Sequence, residues 1–309
     1  MRVLFMGTPE FAAISLKKII AEHEVIGVFT QPDKVNQRGN KIKYSSVKQL
    51  AIENKIEVFQ PVSVRKEEVI LKIKELKPDI IVVVAYGKIL PNNLIEIPKY
   101  GTINVHASLL PKYRGAAPIH ASIINGESET GVTIMDIAEE LDAGDMILKK
   151  STPILEEDNL ETVHDRLADI GAEALSEALQ LIASGKVEKT PQNHSEATFV
   201  KPIRKEECKI DWSMSNKEIF DKVRGMNPFP TAFTTLNDKI LKIYEVEKSD
   251  KNYNCEIGEV AEIFKDKGAA IKTGKGSVIL KKVKPENKSL ISGKDLINGN
   301  YIKAGDRLK

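Results

Sequence analysis

Over residues 3–184, short apolar runs of strand length alternate with longer segments whose apolar residues recur every three or four positions. That alternation constrains the chain more than any other feature. A strand that passes through a helix into the next strand returns in the same direction, so an α/β domain with a mainly parallel sheet is expected. Strands are expected at 3–6, 25–30, 80–84, 103–105 and 132–137, and helices over about 9–22, 47–54 and 160–184. The run 80–85 is apolar throughout, as suits a strand buried on both faces. Thr8 is the expected N-cap of the first helix and Pro9 its first residue. Between the second strand and its helix, residues 31–44 form a polar loop too long for a bare connection, a length usual for functional or disordered segments.

Around residue 185 the pattern changes. Gly185 ends the long helix, and Pro191-Gln192-Asn193-His194 and Lys201-Pro202 read as an extended linker. Beyond a short helix near 216–224 come β segments at 232–236, 240–246, 258–264, 269–273 and 277–283. Short strands separated by Gly and Asn turns point to a small β-barrel. The expected organisation is a first domain over 1–185, a linker over 186–207 and a second domain over 208–309.

With 41% hydrophobic and 29% charged residues, the composition is that of a soluble, folded protein. No apolar run nears the roughly 20 residues that a membrane helix needs, and the apolar stretch at residues 3–6 is too short for a signal peptide. Cys208 and Cys255 are the two cysteines; they show no metal spacing and offer at most one bridge. A reduced, cytoplasmic protein is expected. The net charge of +2 is unevenly spread: residues 206–309 carry roughly 20 Lys+Arg against 16 Asp+Glu, leaving residues 1–205 near −2. A modestly basic C-terminal part suits a polyanionic partner.

The chemically informative stretch is Gly101-Thr102-Ile103-Asn104-Val105-His106-Ala107-Ser108-Leu109-Leu110-Pro111-Lys112-Tyr113-Arg114-Gly115. Ile103 and Val105 alternate with Asn104 and His106, and in an extended chain residues i and i+2 face the same side. The amide and the imidazole are thus presented together near a strand end, where open α/β sheets place their ligands. Further on, the strand at 132–137 runs into Ala138-Glu139-Glu140-Leu141-Asp142-Ala143-Gly144-Asp145, a loop able to return a carboxylate to the same edge. On these grounds Asp142 and Asp145 serve equally well.

An amide donor, an imidazole and a carboxylate, without a serine or cysteine nucleophile, suit acyl transfer to a substrate that brings its own nucleophile, such as a primary amine. Asn104 would hold the carbonyl oxygen as it becomes an oxyanion, a contribution of about 3 kcal/mol in comparable sites. His106 and the carboxylate would manage the protons on the attacking and leaving amines. His23, His120, His164 and His194 read as surface or satisfied histidines. No third ligand of recognisable spacing accompanies His106 and Asp142, so no metal is expected.

Asn104-x-His106-x-Ser108-Leu109-Leu110-Pro111, followed by Leu141-Asp142-x-Gly144, resembles the signature of the folate-dependent formyltransferases. That family moves the formyl group of 10-formyltetrahydrofolate onto an amine. The resemblance implies Asn104, His106 and Asp142 as catalytic residues, which decides between the two aspartates. It also implies Ser108, Leu109, Leu110 and Pro111 as folate contacts. The architecture it implies is a Rossmann-like catalytic domain with a mainly parallel sheet, a linker and a C-terminal OB-like β-barrel.

Further blocks extend the likeness over nearly the whole chain, among them Phe5-Met6-Gly7-Thr8-Pro9-Glu10-Phe11-Ala12, Arg114-Gly115-Ala116-Ala117-Pro118-Ile119 and Asn227-Pro228-Phe229-Pro230. They are similar to those members of the family that formylate methionine on initiator tRNA for translation initiation. The implied partners are initiator methionyl-tRNA and 10-formyltetrahydrofolate as co-substrate, with no membrane and no protein partner. In the family, the loop at 31–44 enters the acceptor-stem region. Its Lys34, Arg38, Lys41 and Lys43 suit phosphates and a splayed single-stranded end, and Arg38, Lys41 and Lys43 are the implied tRNA contacts. The family commonly reads Arg-Gly-Lys-Lys where this chain has Arg38-Gly39-Asn40-Lys41, so one expected charge is missing. Lys281, Lys282, Lys284 and Lys288 form a candidate second basic patch.

Two other readings compete. Formyl transfer to a small amine would keep Asn104, His106 and Asp142 but would need neither the 31–44 loop nor a basic barrel. A non-catalytic tRNA-binding protein would have no use for all three polar residues. A dinucleotide-dependent oxidoreductase is disfavoured, because Gly7-Thr8-Pro9-Glu10-Phe11-Ala12 lacks the Gly-x-Gly-x-x-Gly spacing that lets a pyrophosphate approach the backbone.

Overall fold

The computed structural model describes residues 1–35 and 42–309. They form two compact units, each assembled from three stretches. Met1–Gly115, Thr130–Thr152 and His164–Phe199 make the first; Ala116–Glu129, Pro153–Val163 and Val200–Lys309 make the second.

The first unit is built on seven strands: β1 (Arg2–Gly7), β2 (Glu24–Phe29), β3 (Val58–Phe59), β4 (Ile80–Val84), β5 (Thr102–His106), β6 (Glu129–Asp136) and β7 (Met146–Pro153). Their order in the sheet is β7-β6-β5-β4-β1-β2-β3. β1 pairs in parallel with β2 and β4, β2 with β3, and β4 with β5, whereas β6 runs antiparallel to β5. The sheet is therefore mainly parallel, as expected, with two strands added beyond β5. All five residues of β4 are buried. Helices α1 (Glu10–Glu22), α2 (Ser46–Glu53) and α3 (Glu67–Leu76) connect successive parallel strands, and α4 (Leu160–Ala183) follows β7. α1 buries Phe11, Ala12, Leu16 and Ile19.

α4 comes close to the sheet at Gly171, where an added Cβ would lie 3.2 Å from Val105 Cγ1 and 3.7 Å from Val132 Cγ1. A glycine lets this helix settle directly over β5.

Thr8 does not cap α1. Pro9 holds the N-cap position without a side-chain bond, and the Thr8 hydroxyl donates to Tyr86 O (3.4 Å) and accepts from Gln31 N–H (3.3 Å). The cause is the closeness of the turn at Gly7, where a Cβ would fall 2.7 Å from Ala12 Cβ and 2.9 Å from Val84 O. This turn points Thr8 at the neighbouring loops. The 31–44 connection carries a short antiparallel ladder in which Lys34 pairs with Lys43 and Val35 with Ile42.

In the second unit, helix α5 (Asn216–Gly225) precedes β8 (Ala232–Leu236), β9 (Lys239–Ser249), β10 (Val260–Phe264), β11 (Gly268–Lys272) and β12 (Ser277–Pro285). The strands form an antiparallel sheet of order β8-β9-β12-β11-β10. Its two outer strands, β8 and β10, are joined through the C-terminal residues. Leu308 bridges Leu236, Arg307 bridges Glu259, and Val260 N–H donates to Asp306 O at 2.8 Å. The expected barrel thus takes the form of an antiparallel sheet whose edges are tied by isolated bridges.

α5 opens with a capping box, in which Ser215 Oγ accepts from Glu218 N–H (3.3 Å) and Glu218 Oε2 accepts from Ser215 N–H (2.8 Å). Trp212, Ile219, Val223, Ile243, Leu280 and Leu308 share the core of this unit. The stretches 116–129 and 153–163 join it for identifiable reasons. Gly225 lets α5 approach Ile124, and Arg224 Nη1 donates to Leu155 O at 2.6 Å.

Candidate active site

β5 is interior to the sheet, with Asn104 paired to Val83 on one side and to Met135 on the other. Both neighbours fix its backbone, and the alternation of the pleat then decides the faces. Ile103 and Val105 are buried, Asn104 is half-buried, and His106 ends the strand with 5% exposure. The predicted pair is therefore present at the carboxyl end of a central strand.

His106 is held by two groups. Its Nε2 lies 2.9 Å from Tyr113 O. A carbonyl only accepts, so Nε2 is the protonated nitrogen and Nδ1 is left to accept or, in the imidazolium, to donate. Nδ1 faces Asp142 Oδ2 at 3.7 Å. The same Oδ2 accepts from Gly115 N–H at 2.8 Å.

The carboxylate reaches this place because the loop between β6 and β7 closes tightly. Asp136 N–H donates to Asp145 O (2.9 Å), and Ile137 N–H donates to Thr102 O (2.8 Å). Gly144 packs against the strand so closely that a Cβ would lie 2.0 Å from Asp136 O, which is the physical reason for glycine in Leu141-Asp142-x-Gly144. Asp145 is exposed; Asp142 is the aspartate that meets His106.

The turn at 108–111 is supported from beneath. Ser108 is fully buried and its hydroxyl donates to Lys112 O at 2.7 Å. Thr133 Oγ1 donates to Ser108 O (2.7 Å) and accepts from Leu110 N–H (3.1 Å). Leu110 packs with Met135 and Met146, whereas Leu109 and Pro111 are half-buried. Ser108 and Leu110 thus shape the turn, while Leu109 and Pro111 offer it surface.

Polar bonds also tie together the loops at the carboxyl ends of β1 to β4. Gln31 Nε2 donates to Tyr86 O (2.9 Å), Gln60 Nε2 to Gln31 O (2.8 Å) and Lys48 Nζ to Asp33 Oδ2 (2.5 Å). The Lys48 ammonium holds the Asp33 carboxyl below its ordinary range, and Gln60 assists. Burial pushes the Tyr86 phenol up to about 12, so the ring stays neutral.

The structure does not reach every expected residue. Arg38 and Lys41 lie outside the described residues, while Lys43 is described and exposed. In the second unit Lys282, Lys284 and Lys288 are exposed, but Lys281 stands 3.7 Å from Glu247 and is partly neutralised. Sequence reasoning missed Tyr113 O and Gly115 N–H, the groups that hold His106 and Asp142. Both are backbone atoms at positive φ, 61° and 113°, and a side-chain pattern carries no signal for them beyond the glycine itself.

The family model described as formyl transferase matches residues 1–179, and the one described as formyl transferase, C-terminal domain, matches residues 202–301. The chain belongs to the formyl transferase family. Relatives in this family include proteins named methionyl-tRNA formyltransferase. That of Fusobacterium nucleatum subsp. nucleatum is 53% identical over 309 residues, covering 100% of both chains. Those of Clostridioides difficile and Bacillus subtilis are 47% and 43% identical, with 99% of this chain covered in each case and 99% and 97% of theirs.

Among solved structures, the sugar 3N-formyl transferase WlaRD, crystallised with dTDP and 5-N-formyl-THF, superposes with a TM-score of 0.68 at 20% identity, over 94% of this chain and 99% of that one. HypX from Aquifex aeolicus, in complex with tetrahydrofolic acid, gives 0.63 at 19% identity over 98% of this chain. This chain spans about half of HypX, 48% of its length. At such identities the likeness concerns the formyl transferase fold.

Proposed function

We propose that this chain transfers the formyl group of 10-formyltetrahydrofolate to the α-amino group of methionine esterified to initiator tRNA, in the cytoplasm, producing formylmethionyl-tRNA for translation initiation. The observation that carries this reading is the full-length likeness, up to 53% identity, to proteins named for that reaction, in a chain whose polar triad needs no serine or cysteine. Among the described residues, no helix is long and apolar enough to cross a membrane.

In this reading the methionine amine attacks the formyl carbon, and the carbonyl oxygen becomes an oxyanion that the Asn104 amide stabilises. His106 and Asp142, facing each other at 3.7 Å, take the proton released by the amine. The bond from the formyl carbon to N10 of the folate then breaks, and that nitrogen regains a proton. The half-buried Leu109 and Pro111 line the folate, on a turn set by Ser108 and Leu110. Residues 1–185 form the catalytic domain, 186–207 the linker and 208–309 the tRNA-binding domain, with Arg38, Lys41 and Lys43 contacting tRNA.

The test is to incubate the protein with radiolabelled 10-formyltetrahydrofolate and offer charged initiator tRNA or small amines in parallel. Label should enter the tRNA. Label entering only small amines would overturn the substrate assignment, and label entering neither would overturn the reaction. Arg38→Ala refines the result. A tRNA contact predicts a larger loss of tRNA formylation than of folate hydrolysis, and a salt dependence of tRNA binding flattened by about one log–log unit at most.

A further inference from the structure

The loop that carries Asp142 is gripped from behind by two buried side chains that the reaction itself does not call on. Asp142 sits in the left-handed region, with φ of 51°, a conformation that aspartate tolerates but does not prefer. Something must hold the peptide that follows it. Gln192 Nε2 donates to Asp142 O (2.9 Å) and to Gly144 O (2.8 Å). Its Oε1 accepts from Arg114 Nε (3.1 Å) and Nη2 (2.9 Å). Every donor and both lone pairs of this amide are therefore used, and the residue is only 4% exposed.

Arg114 is fully buried. A guanidinium removed from water is costly unless its donors are satisfied. Besides Gln192 it reaches Glu140 Oε1 (3.1 Å) and His194 Nδ1 (3.3 Å), and it lies over the Phe199 ring at 5.8 Å. Glu140 belongs to the same loop as Asp142. Arg114 thus grips the loop directly at Glu140 and, through Gln192, at Asp142 and Gly144. Its chain neighbour Gly115 supplies the N–H that holds the Asp142 carboxylate. Two consecutive residues therefore fix both the backbone and the side chain of one aspartate.

We propose that Arg114 and Gln192 are positioning residues, a rigid truss that sets the Asp142 carboxylate against His106 Nδ1. The proposal rests on the reading of Asp142 as a catalytic residue. A carboxylate hung on a left-handed residue swings widely if the adjoining peptide turns, and misplacement by about 1 Å can cost on the order of a hundredfold in rate. Gln192 prevents that turn because only a side chain with two donors can satisfy both carbonyls at once.

The experiment is a double-mutant cycle on the full chain with Gln192→Met, Asp142→Asn and their combination, reading kcat and the KM for 10-formyltetrahydrofolate. Gln192→Met keeps the volume and removes the donors. Its kcat should fall at least tenfold while KM changes less than about threefold, and in the Asp142→Asn background it should cost little further. Multiplicative losses would show that Gln192 does not act through Asp142, and an unchanged kcat in Gln192→Met would overturn the truss outright.

Asp142→Asn with parental turnover would instead overturn the reading of Asp142 as catalytic. Gln192→Glu is the second variant, for use if Gln192→Met does not fold. It retains the bond to Arg114 but sets a carboxylate against two carbonyl oxygens, and it should show the same loss of kcat in a protein with a normal circular dichroism spectrum. Failure of both variants to fold would make the pair a scaffold element and overturn the proposal.

Discussion

Replacing Asn104 by alanine removes one amide and leaves the pairing of its strand with Val83 and Met135 in place. Turnover should then fall by about a hundredfold or more with little change in folate affinity, because the lost donor acts on charge that develops only during reaction. Steady-state kinetics with the folate as varied substrate checks this, and near-normal turnover would remove Asn104 from the chemistry. The side chains of the candidate triad were legible in the sequence. Asn104 and His106 follow from a period of two, and Asp142 from the motif around it. The choice between Asp142 and Asp145 was invisible to spacing, because it depends on how the loop closes at Asp136 and Gly144. The holders of the pair, Tyr113 O and Gly115 N–H, are main-chain atoms and left little trace. Gln192 was read as linker, since its partners are far away in sequence.

The strand that presents Asn104 and His106 is braced from above by α4. At Gly171 the helix backbone rests on Val105 and Val132, and Val105 stands between the two polar residues. Gly171→Leu should force helix and strand apart, destabilising the protein by about 1–3 kcal/mol and lowering kcat in the fraction that remains folded. Denaturant melts beside kinetics at matched temperature would show this; an unchanged midpoint would mean that the helix slides freely over β5.

Most of the longer strands and helices were legible from periodicity, but α3 and β7 were not, and the two-residue β3 is too short to show a period. α3 begins at Glu67 with Lys66 at the N-cap and no side-chain cap bond, so no Ser, Thr, Asp or Asn announces it. β7 closes the edge of the sheet with a mixed burial pattern and two lysines, Lys149 and Lys150. An edge strand of that kind shows no sustained alternation.

Every residue of the candidate catalytic triad lies in the first unit, while the positive surplus lies in residues 206–309. The second unit has a core of its own, and its sheet is held together partly by residues 306–309. Leu308 is 2% exposed within that core. Leu308→Ala should cost about 2–5 kcal/mol, and it should loosen β8 and β10 together, because the same short stretch bridges both. Thermal unfolding followed by Trp212 fluorescence is a suitable measure, as Trp212 is buried in this core and bonded to Thr234 Oγ1 at 3.0 Å. A shift of less than a degree or two would show that the bridges are ornamental. The change of pattern near residue 185 suggested two parts, but nothing in the sequence signals the return of 116–129 and 153–163 to the second unit, which depends on Arg224 and Gly225.

The interior position of β4 and β5 also sets how quickly their amides trade hydrogen with heavy water. Each strand is paired on both sides, and β4 is buried along its whole length. Their amides become accessible only through large openings of the sheet, whereas the two-residue β3 at the opposite edge has a neighbour on one side alone. In deuterium-exchange mass spectrometry, peptides spanning 80–84 and 102–106 should therefore take up label last and those spanning 58–59 much sooner. The floor on which Asn104 and His106 stand would then be among the slowest-opening parts of the molecule, with the motion needed to admit substrate left to the loops around it.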